Sequence, residues 1–475
     1  LIALVIRRFA APAGGANLAR VRRAYGEDVA LLDDRSIAAT LVLTPISLGA
    51  GAPLGPEGPT VVLASGIAMW IARAARLPKK LVRSMIPVGT AAGIAAIFNT
   101  PITGVVFALE EVMGNASRGL LGGTIVAAVA AAVVERLMLG GKPLLSAPSG
   151  NWTNIRELLG FAAAGVAAGA VSGGAVHAIT FLRRRLARIP PWLRAALGGV
   201  VIGAIGLFVP VIFSVGYETT SLFLHGHVQT SATAFIAKVV AFIIALGCGI
   251  LGGVFAPSLF IGAALGATIG RLTHAADPGA YALVGMGAFF GGLLRCPISA
   301  VLIVVEVTGD YGLILPLMLA VALSTAISRA IAHENLTERQ MRDEGYRESA
   351  AGDPLAGLSA AEVMSSDVVV LDASLTLRDA AQLVAGSRHR YYPVVNEQRK
   401  LIGLLPSQAL DTSDQPLAAH VQPWPVVART TDDVRDLIRR MAKEGIDRCP
   451  VTDEEGRVAG FVSPADVLRV RMQAS

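Results

Sequence analysis

The strongest constraint on this chain is a set of long apolar runs almost free of charge. Glu57 is the only formally charged residue between Arg35 and Arg73, and residues 84–109 and 239–270 carry no charge at all. Such runs exceed the roughly 20 residues a helix needs to cross a bilayer, which excludes an ordinary soluble fold for this part. Composition agrees: 53% of the 475 residues are hydrophobic and only 16% charged, with a mean hydropathy of +0.59. The 51 glycines suit helices that pack closely or break inside a membrane. We therefore expect a polytopic α-helical membrane protein embedded in a lipid bilayer. The net charge is +6, and Lys79, Lys80 and Arg83, like Arg183, Arg184, Arg185 and Arg188, flank apolar runs. They read as positive-inside anchors rather than a nucleic-acid surface. The three cysteines, Cys248, Cys296 and Cys449, have neither disulfide nor metal-ligand spacing. The chain opens on Leu1 inside an apolar stretch, and we expect a further N-terminal portion before it.

Glu57 sits in Leu54-Gly55-Pro56-Glu57-Gly58-Pro59-Thr60. A carboxylate at membrane depth costs about 2.5–3.5 kcal/mol on insertion scales, so it faces a polar cavity and marks a pathway or proton relay. Gly55, Gly58 and Pro59 permit a tight turn and a helix start, which bring backbone N–H groups beside it. A helix N-terminus is an anion site, and here the protein supplies its own anion. Glu57 is thus placed to compete with a diffusible one.

The apolar part repeats internally. Residues 89–112, GTAAGIAAIFNTPITGVVFALEEV, align with residues 285–308, GMGAFFGGLLRCPISAVLIVVEVT, pairing Gly89 with Gly285, Pro101 with Pro297 and Glu110 with Glu306. Upstream, Gly55–Pro59 meets Gly253-Val254-Phe255-Ala256-Pro257. Two related halves suit a transporter whose ion site lies between broken-helix ends at their interface. Composition changes near residue 333. We expect a membrane domain over 1–333, a juxtamembrane helix and linker over 334–358, and a soluble α/β pair over 359–412 and 413–475. In that pair RYYPVVNEQRKLIGLLPSQAL (390–410) parallels RCPVTDEEGRVAGFVSPADVL (448–468).

With these motifs assembled, the chain resembles the CLC family of chloride channels and chloride/proton antiporters. The resemblance rests on four signals in order. They are Gly55-Pro56-Glu57-Gly58-Pro59; Phe98-Asn99-Thr100-Pro101 followed by Phe107-Ala108-Leu109-Glu110-Glu111; Gly252-Gly253-Val254-Phe255-Ala256-Pro257; and tandem C-terminal repeats similar to a CBS pair. It implies an inverted-repeat membrane fold and a homodimer with one anion pathway per subunit. It makes Glu57 the gating glutamate and Glu111 the inner proton glutamate. It places Gly55, Pro56, Gly58, Val254 and Phe255 at the anion, with the last two acting through backbone N–H groups. Glu110 recurs as Glu306, whereas Val307 stands opposite Glu111, which favours Glu111 for the functional role.

Two side-chain donors of the family are missing. Its Gly-Ser-Gly-Ile-Pro motif falls on Ala13–Ala19, where Ala16, or else Gly15 or Asn17, takes the serine's place, and Thr337 stands where a tyrosine is expected. The anion is therefore left open among chloride, nitrate and bicarbonate. The resemblance further implies an adenine nucleotide (ATP, ADP or AMP) at the CBS-like pair, with Asp466 accepting ribose hydroxyls and Ser463 beside it; the first repeat has Ala409 instead. No other cofactor and no metal is implied. The leading expectation is proton-coupled anion antiport across a bacterial inner or plasma membrane, with the CBS pair in the cytoplasm. An uncoupled, voltage- or ligand-gated channel of the same fold is the alternative, and a CBS-regulated cation transporter is the alternative of another class. No catalytic residues are assigned, since the apolar part has neither a Ser/His pair nor a metal cluster.

Overall fold

The computed structural model describes residues 17–26, 31–114, 118–141, 143–147, 152, 155–343, 355, 358–387 and 389–473. The chain divides into two compact units, Leu1–Ala351 and Gly352–Ser475.

The first unit is all helical. Its elements are α1 (Asn17–Gly26), α2 (Asp34–Gly49), α3 (Glu57–Ala74), α4 (Lys79–Phe98), α5 (Pro101–Phe107), α6 (Arg118–Leu139), α7 (Ile155–Arg185) and α8 (Pro191–Phe208). They continue as α9 (Tyr217–Leu224), α10 (Ser231–Gly247), α11 (Phe255–Leu272), α12 (Pro278–Leu294), α13 (Pro297–Thr308), α14 (Ile314–Ile331) and α15 (Leu336–Asp343). Among the described residues six helices are long and apolar enough to cross a membrane. Others end inside the protein: α13 has 12 residues, about 18 Å, well short of the roughly 30 Å apolar thickness.

The helix breaks obey the repeat. Helix α4 ends on Asn99 (φ 54°) and α12 ends on Arg295 (φ 59°), both left-handed. Two residues later a proline opens the next helix, Pro101 for α5 and Pro297 for α13, where its missing N–H is no loss. The hairpins α3–α4 and α11–α12 pack at equivalent glycines. A Cβ on Gly89 would fall 2.5 Å from the Ala64 carbonyl, and one on Gly285 would fall 2.4 Å from that of Gly262. Only glycine allows backbones this close. Helix α12 is buried from Gly279 to Leu294, and α11 from Phe255 to Ala267, so the core lies at this second hairpin.

The recurring glutamates tie the halves together. Glu306 accepts hydrogen bonds from Ile102 N (3.0 Å), Thr103 N (2.7 Å) and Thr103 Oγ1 (2.6 Å) at the start of α5. Glu110 accepts from Ile298 N (3.1 Å), Ser299 N (2.8 Å) and Ser299 Oγ (2.6 Å) at the start of α13. Each half thus satisfies the orphan amides of the other half's short helix with a carboxylate that also complements its dipole. The recurrence of Glu110 as Glu306 thus corresponds to one structural task done in both halves.

The second unit holds two three-stranded sheets of one topology, β1 (Leu371–Asp372), β2 (Tyr391–Val395), β3 (Leu401–Pro406) and β4 (Ala428–Arg429), β5 (Cys449–Thr452), β6 (Val458–Val462). In each, the first strand pairs parallel with the second and the second antiparallel with the third, and a register shift falls at Val394/Val395 and at Val451/Thr452. Helices α16 (Ala360–Val363), α17 (Leu377–Leu383), α18 (Val434–Glu444) and α19 (Pro464–Gln473) complete the repeats. The segments preceding each repeat are exchanged. Ser365 bridges to Phe461, and α16 packs beside β6 and α18 of the second repeat, while Gln422 bridges to Leu404 of the first. A boundary drawn between 412 and 413 therefore divides the sequence but not the cores. At α16 the Ser359 N–H and hydroxyl hold the Glu362 carboxyl below its ordinary value. That cap contributes its full stability above the ordinary glutamate value and loses it as pH falls from there through the lowered one.

Replacing Glu306 by Ala leaves two helix-start amides without an acceptor and is expected to cost about 2 kcal/mol. Glu306→Gln keeps acceptor capacity and should cost less. Thermal unfolding midpoints in detergent, ordered wild type, Gln, Ala, check this; equal midpoints for wild type and Glu306→Ala would refute it.

Candidate functional site

The two motifs Gly55–Pro59 and Gly253–Pro257 meet at the centre of the first unit. Gly55 N donates to Gly253 O (3.0 Å) and Gly253 N donates to Gly55 O (2.5 Å), an isolated antiparallel bridge between the two halves. From it the chains enter α3 and α11. Pro56 caps α3 and Val254 caps α11, neither with a side-chain hydrogen bond, so the first amides of both helices are left for other acceptors.

Glu57 supplies one such acceptor. Its side chain is fully buried, and Oε1 accepts a hydrogen bond from Ala256 N (3.2 Å) in the first turn of α11. Oε2 has no hydrogen-bond partner among the described residues. Both bridging glycines exist to admit this carboxylate: a Cβ on Gly55 would lie 2.1 Å from Oε2, and one on Gly253 would lie 2.5 Å from it. The protein's own anion thus sits against a helix N-terminus, where dipole and amide together favour negative charge.

Phe255 points the other way, into a cluster of phenyl rings. Its centroid is 4.7 Å from Phe107, 4.9 Å from Phe290 and 6.1 Å from Phe98, the first two edge-on. Its side chain is therefore packing, and only its backbone faces the helix start. Phe107 ends α5, after which the chain passes into a π-helical turn, Ala108–Met113, that carries Glu111. Glu111 is 2% exposed, and Arg22 Nη1 of α1 lies 3.7 Å from its Oε1. In the other half α13 stays α-helical through Thr308, with buried Val307 at the corresponding place. The acid and the π-turn occur together, and π-turns are frequent at functional positions.

The remaining predicted residues are placed as follows. Gly55, Pro56, Gly58, Val254 and Phe255 gather at the bridge with Glu57. Thr337 is buried in the first turn of α15, whose start is set by Asn335: its Oδ1 accepts from Glu338 N (2.7 Å) and its Nδ2 donates to Leu294 O (2.9 Å). Ala16 lies outside the described residues. Ala256 was not anticipated; nothing in a sequence distinguishes which amide of Gly253–Pro257 meets the carboxylate. Arg22 was also missed, since it is one of several arginines on α1 and lies far from Glu111 in sequence.

In the second unit Ser463 and Asp466 come together at a cleft of about 460 Å³, also lined by Ser365, Asp367, His389, Tyr391, Arg448 and Arg469. Asp466 is 6% exposed and already engaged: Oδ1 accepts from Ser365 Oγ (2.6 Å) and Arg469 Nη2 (2.9 Å), and Oδ2 from Ser463 N (2.9 Å) and Oγ (2.6 Å). The carboxylate is thus fully engaged within the unit, and a further hydroxyl would reach it by exchanging with Ser365, Ser463 or Arg469.

Comparison with known proteins decides the lineage. Residues 1–329 match the family described as voltage gated chloride channel, and residues 360–410 and 424–473 match CBS domains. The chain belongs to the CLC chloride channel family. It is 35% identical over 325 residues to a putative chloride channel protein, ClcB-like, of Ralstonia nicotianae, covering 65% of this chain and 76% of that protein. The fold matches a crystal structure of a eukaryotic CLC transporter with a TM-score of 0.65 at 20% identity, covering 98% of this chain and 87% of the other. It also matches a slow cyanobacterial Cl⁻/H⁺ antiporter, TM-score 0.66 at 24% identity, over 72% of this chain and 84% of the other. The protein is thus a CLC membrane protein with C-terminal CBS domains, in a family of chloride transport.

Gly55→Ala is expected to hold the Glu57 carboxylate away from α11, because the added methyl takes the space of Oε2. A structure of this variant should place the side chain elsewhere while the Gly55–Gly253 bridge persists; a carboxylate still bonded to Ala256 N would contradict this account.

Proposed function

We propose that this CLC protein is a proton-coupled anion antiporter. Glu57 is its gate and Glu111 its inner proton station. The observation that carries the reading is the Glu57 carboxylate on the Ala256 amide. A site that accepts a buried carboxylate at a helix start accepts a small anion on the same terms, so occupancy by one excludes the other. When Glu57 takes a proton its attraction to the helix start weakens, and the vacated amides are free for chloride. Backbone donors hold an anion without a fixed cation in contact, weakly enough for release. Gly55, Pro56, Gly58, Val254 and Phe255 build that seat, and Thr337 with Ala16 stands where the family has its side-chain donors.

Glu111 supports the coupled reading because it is a buried acid without a counterpart in the other half. Phenyl rings carry no exchangeable proton, so transfer past Phe107 and Phe255 runs on water. One observation favours the uncoupled channel instead: Arg22 gives Glu111 a fixed partner, as in a structural ion pair. The exposed apolar residues Ile102, Val126, Val129, Val133, Ile298, Leu315 and Met318 on α5, α6, α13 and α14 suit a homodimer seam. The CBS pair is assigned to the cytoplasm, where it responds to an adenine nucleotide bound at Ser463 and Asp466.

Proteoliposomes test the transport reading. An imposed chloride gradient is expected to drive opposing proton movement in the wild type. Glu111→Gln should abolish proton movement while anion flux continues, and Glu57→Gln should abolish coupling altogether. Anion flux without proton movement at any gradient would establish the channel. Repeating the measurement with nitrate, bicarbonate and fluoride ranks the substrates. For the CBS pair, calorimetry on the full-length protein should detect ATP, ADP or AMP binding that Asp466→Ala weakens at least tenfold; no heat with any of the three would end that assignment.

A further inference from the structure

Lys238, on α10, is the only formally charged residue between Glu218 and Arg271 and is fully buried. Its ammonium donates to Ile212 O (2.8 Å) and Ser214 O (2.6 Å) and lies 4.9 Å from the centroid of the Phe260 ring. These three contacts account for its three donors. No carboxylate among the described residues forms an ion pair with it. A cation at membrane depth without an acid is expensive, and such residues mark ion pathways.

The surroundings say which pathway. Phe260 is on α11, one helical turn beyond Ala256, and side chains on a helix lean toward its N-terminus. The carbonyls that hold Lys238 belong to the loop of residues 209–216, in which Ser214 adopts a left-handed backbone (φ 55°). Phe213 of the same loop packs on Gly51, where an added Cβ would fall 2.9 Å from the ring. Gly51 lies on the approach to Gly55. The ammonium therefore packs on α11 directly, through Phe260, and is linked to the approach to Gly55 through the loop that carries Phe213; one helical turn plus the ring contact puts it on the order of 10 Å from the α11 start.

We propose that Lys238 is the fixed counter-charge of the anion site, acting through its field rather than by contact. This rests on the reading of the α11 helix start as an anion site. At roughly 10 Å, with an effective dielectric near 20, one positive charge raises anion affinity by about tenfold. The field favours the Glu57 carboxylate and chloride alike, so its effect is read where the carboxylate is absent.

The test is chloride binding by calorimetry to the full-length protein carrying Glu57→Gln, at constant pH. Adding Lys238→Met is expected to weaken chloride binding about tenfold. Lys238→Gln, which keeps donors for the carbonyls, should weaken it to a similar degree and decides the matter if the Met variant fails to fold. Lys238→Arg, which keeps the charge, should stay within about threefold of the parent. Binding retained in the neutral variants, or retained in Gln but lost in Arg, would reduce Lys238 to a loop clamp and overturn the proposal. A parent that binds no chloride at all would overturn the anion-site reading, and this inference with it.

Discussion

Everything at the centre of the membrane unit depends on two hydrogen bonds between Gly55 and Gly253. They fix the two halves at the one point where both chains turn into helices. Because the bridge is made by glycines, the space beside it is open, and the Glu57 carboxylate fills it. Any side chain at either position would occupy the volume of that carboxylate. The halves are then held a second time by Glu110 and Glu306, each seated on the other's short helix. The site is therefore built on backbone, with side chains chosen chiefly for what they leave vacant.

Against that frame the two acids near the pathway differ in setting. Glu57 sits on a helix-start amide, in a space shaped by glycine, and among the described residues no cation forms an ion pair with it. Glu111 sits on a π-turn with an arginine at contact distance. A close cation holds a carboxylate in place, so the two settings differ in how firmly they fix the side chain. Lys238, the buried cation of α10, is held on backbone carbonyls and the Phe260 ring rather than on a carboxylate.

Much of this was legible in the sequence. The charge-free runs identified the membrane unit, and the Pro101/Pro297 and Glu110/Glu306 correspondences fall at positions that the structure makes equivalent. The isolation of Glu57 was a local signal, since charge in an apolar run is costly wherever the run folds. What stayed hidden was pairing at long range: Arg22 with Glu111, Ala256 with Glu57, and the exchange of segments between the CBS repeats. Such contacts depend on how helices cross and carry no periodic trace. Lys238 is the instructive case, because its isolation in sequence exceeds that of Glu57 and the same reasoning applies to it.

The reciprocal glutamates have a consequence for how the protein is made. The amide of Thr103 waits for an acceptor 203 residues further along the chain. At roughly 5–20 residues per second of synthesis, that is on the order of 10–40 s during which the first half has emerged but its short helix is uncapped. During that interval the Thr103 amide has no Glu306 to meet, and the reciprocal caps form only once the pseudo-symmetric second half is present. Birth order, and not only final packing, thus bears on which positions tolerate change.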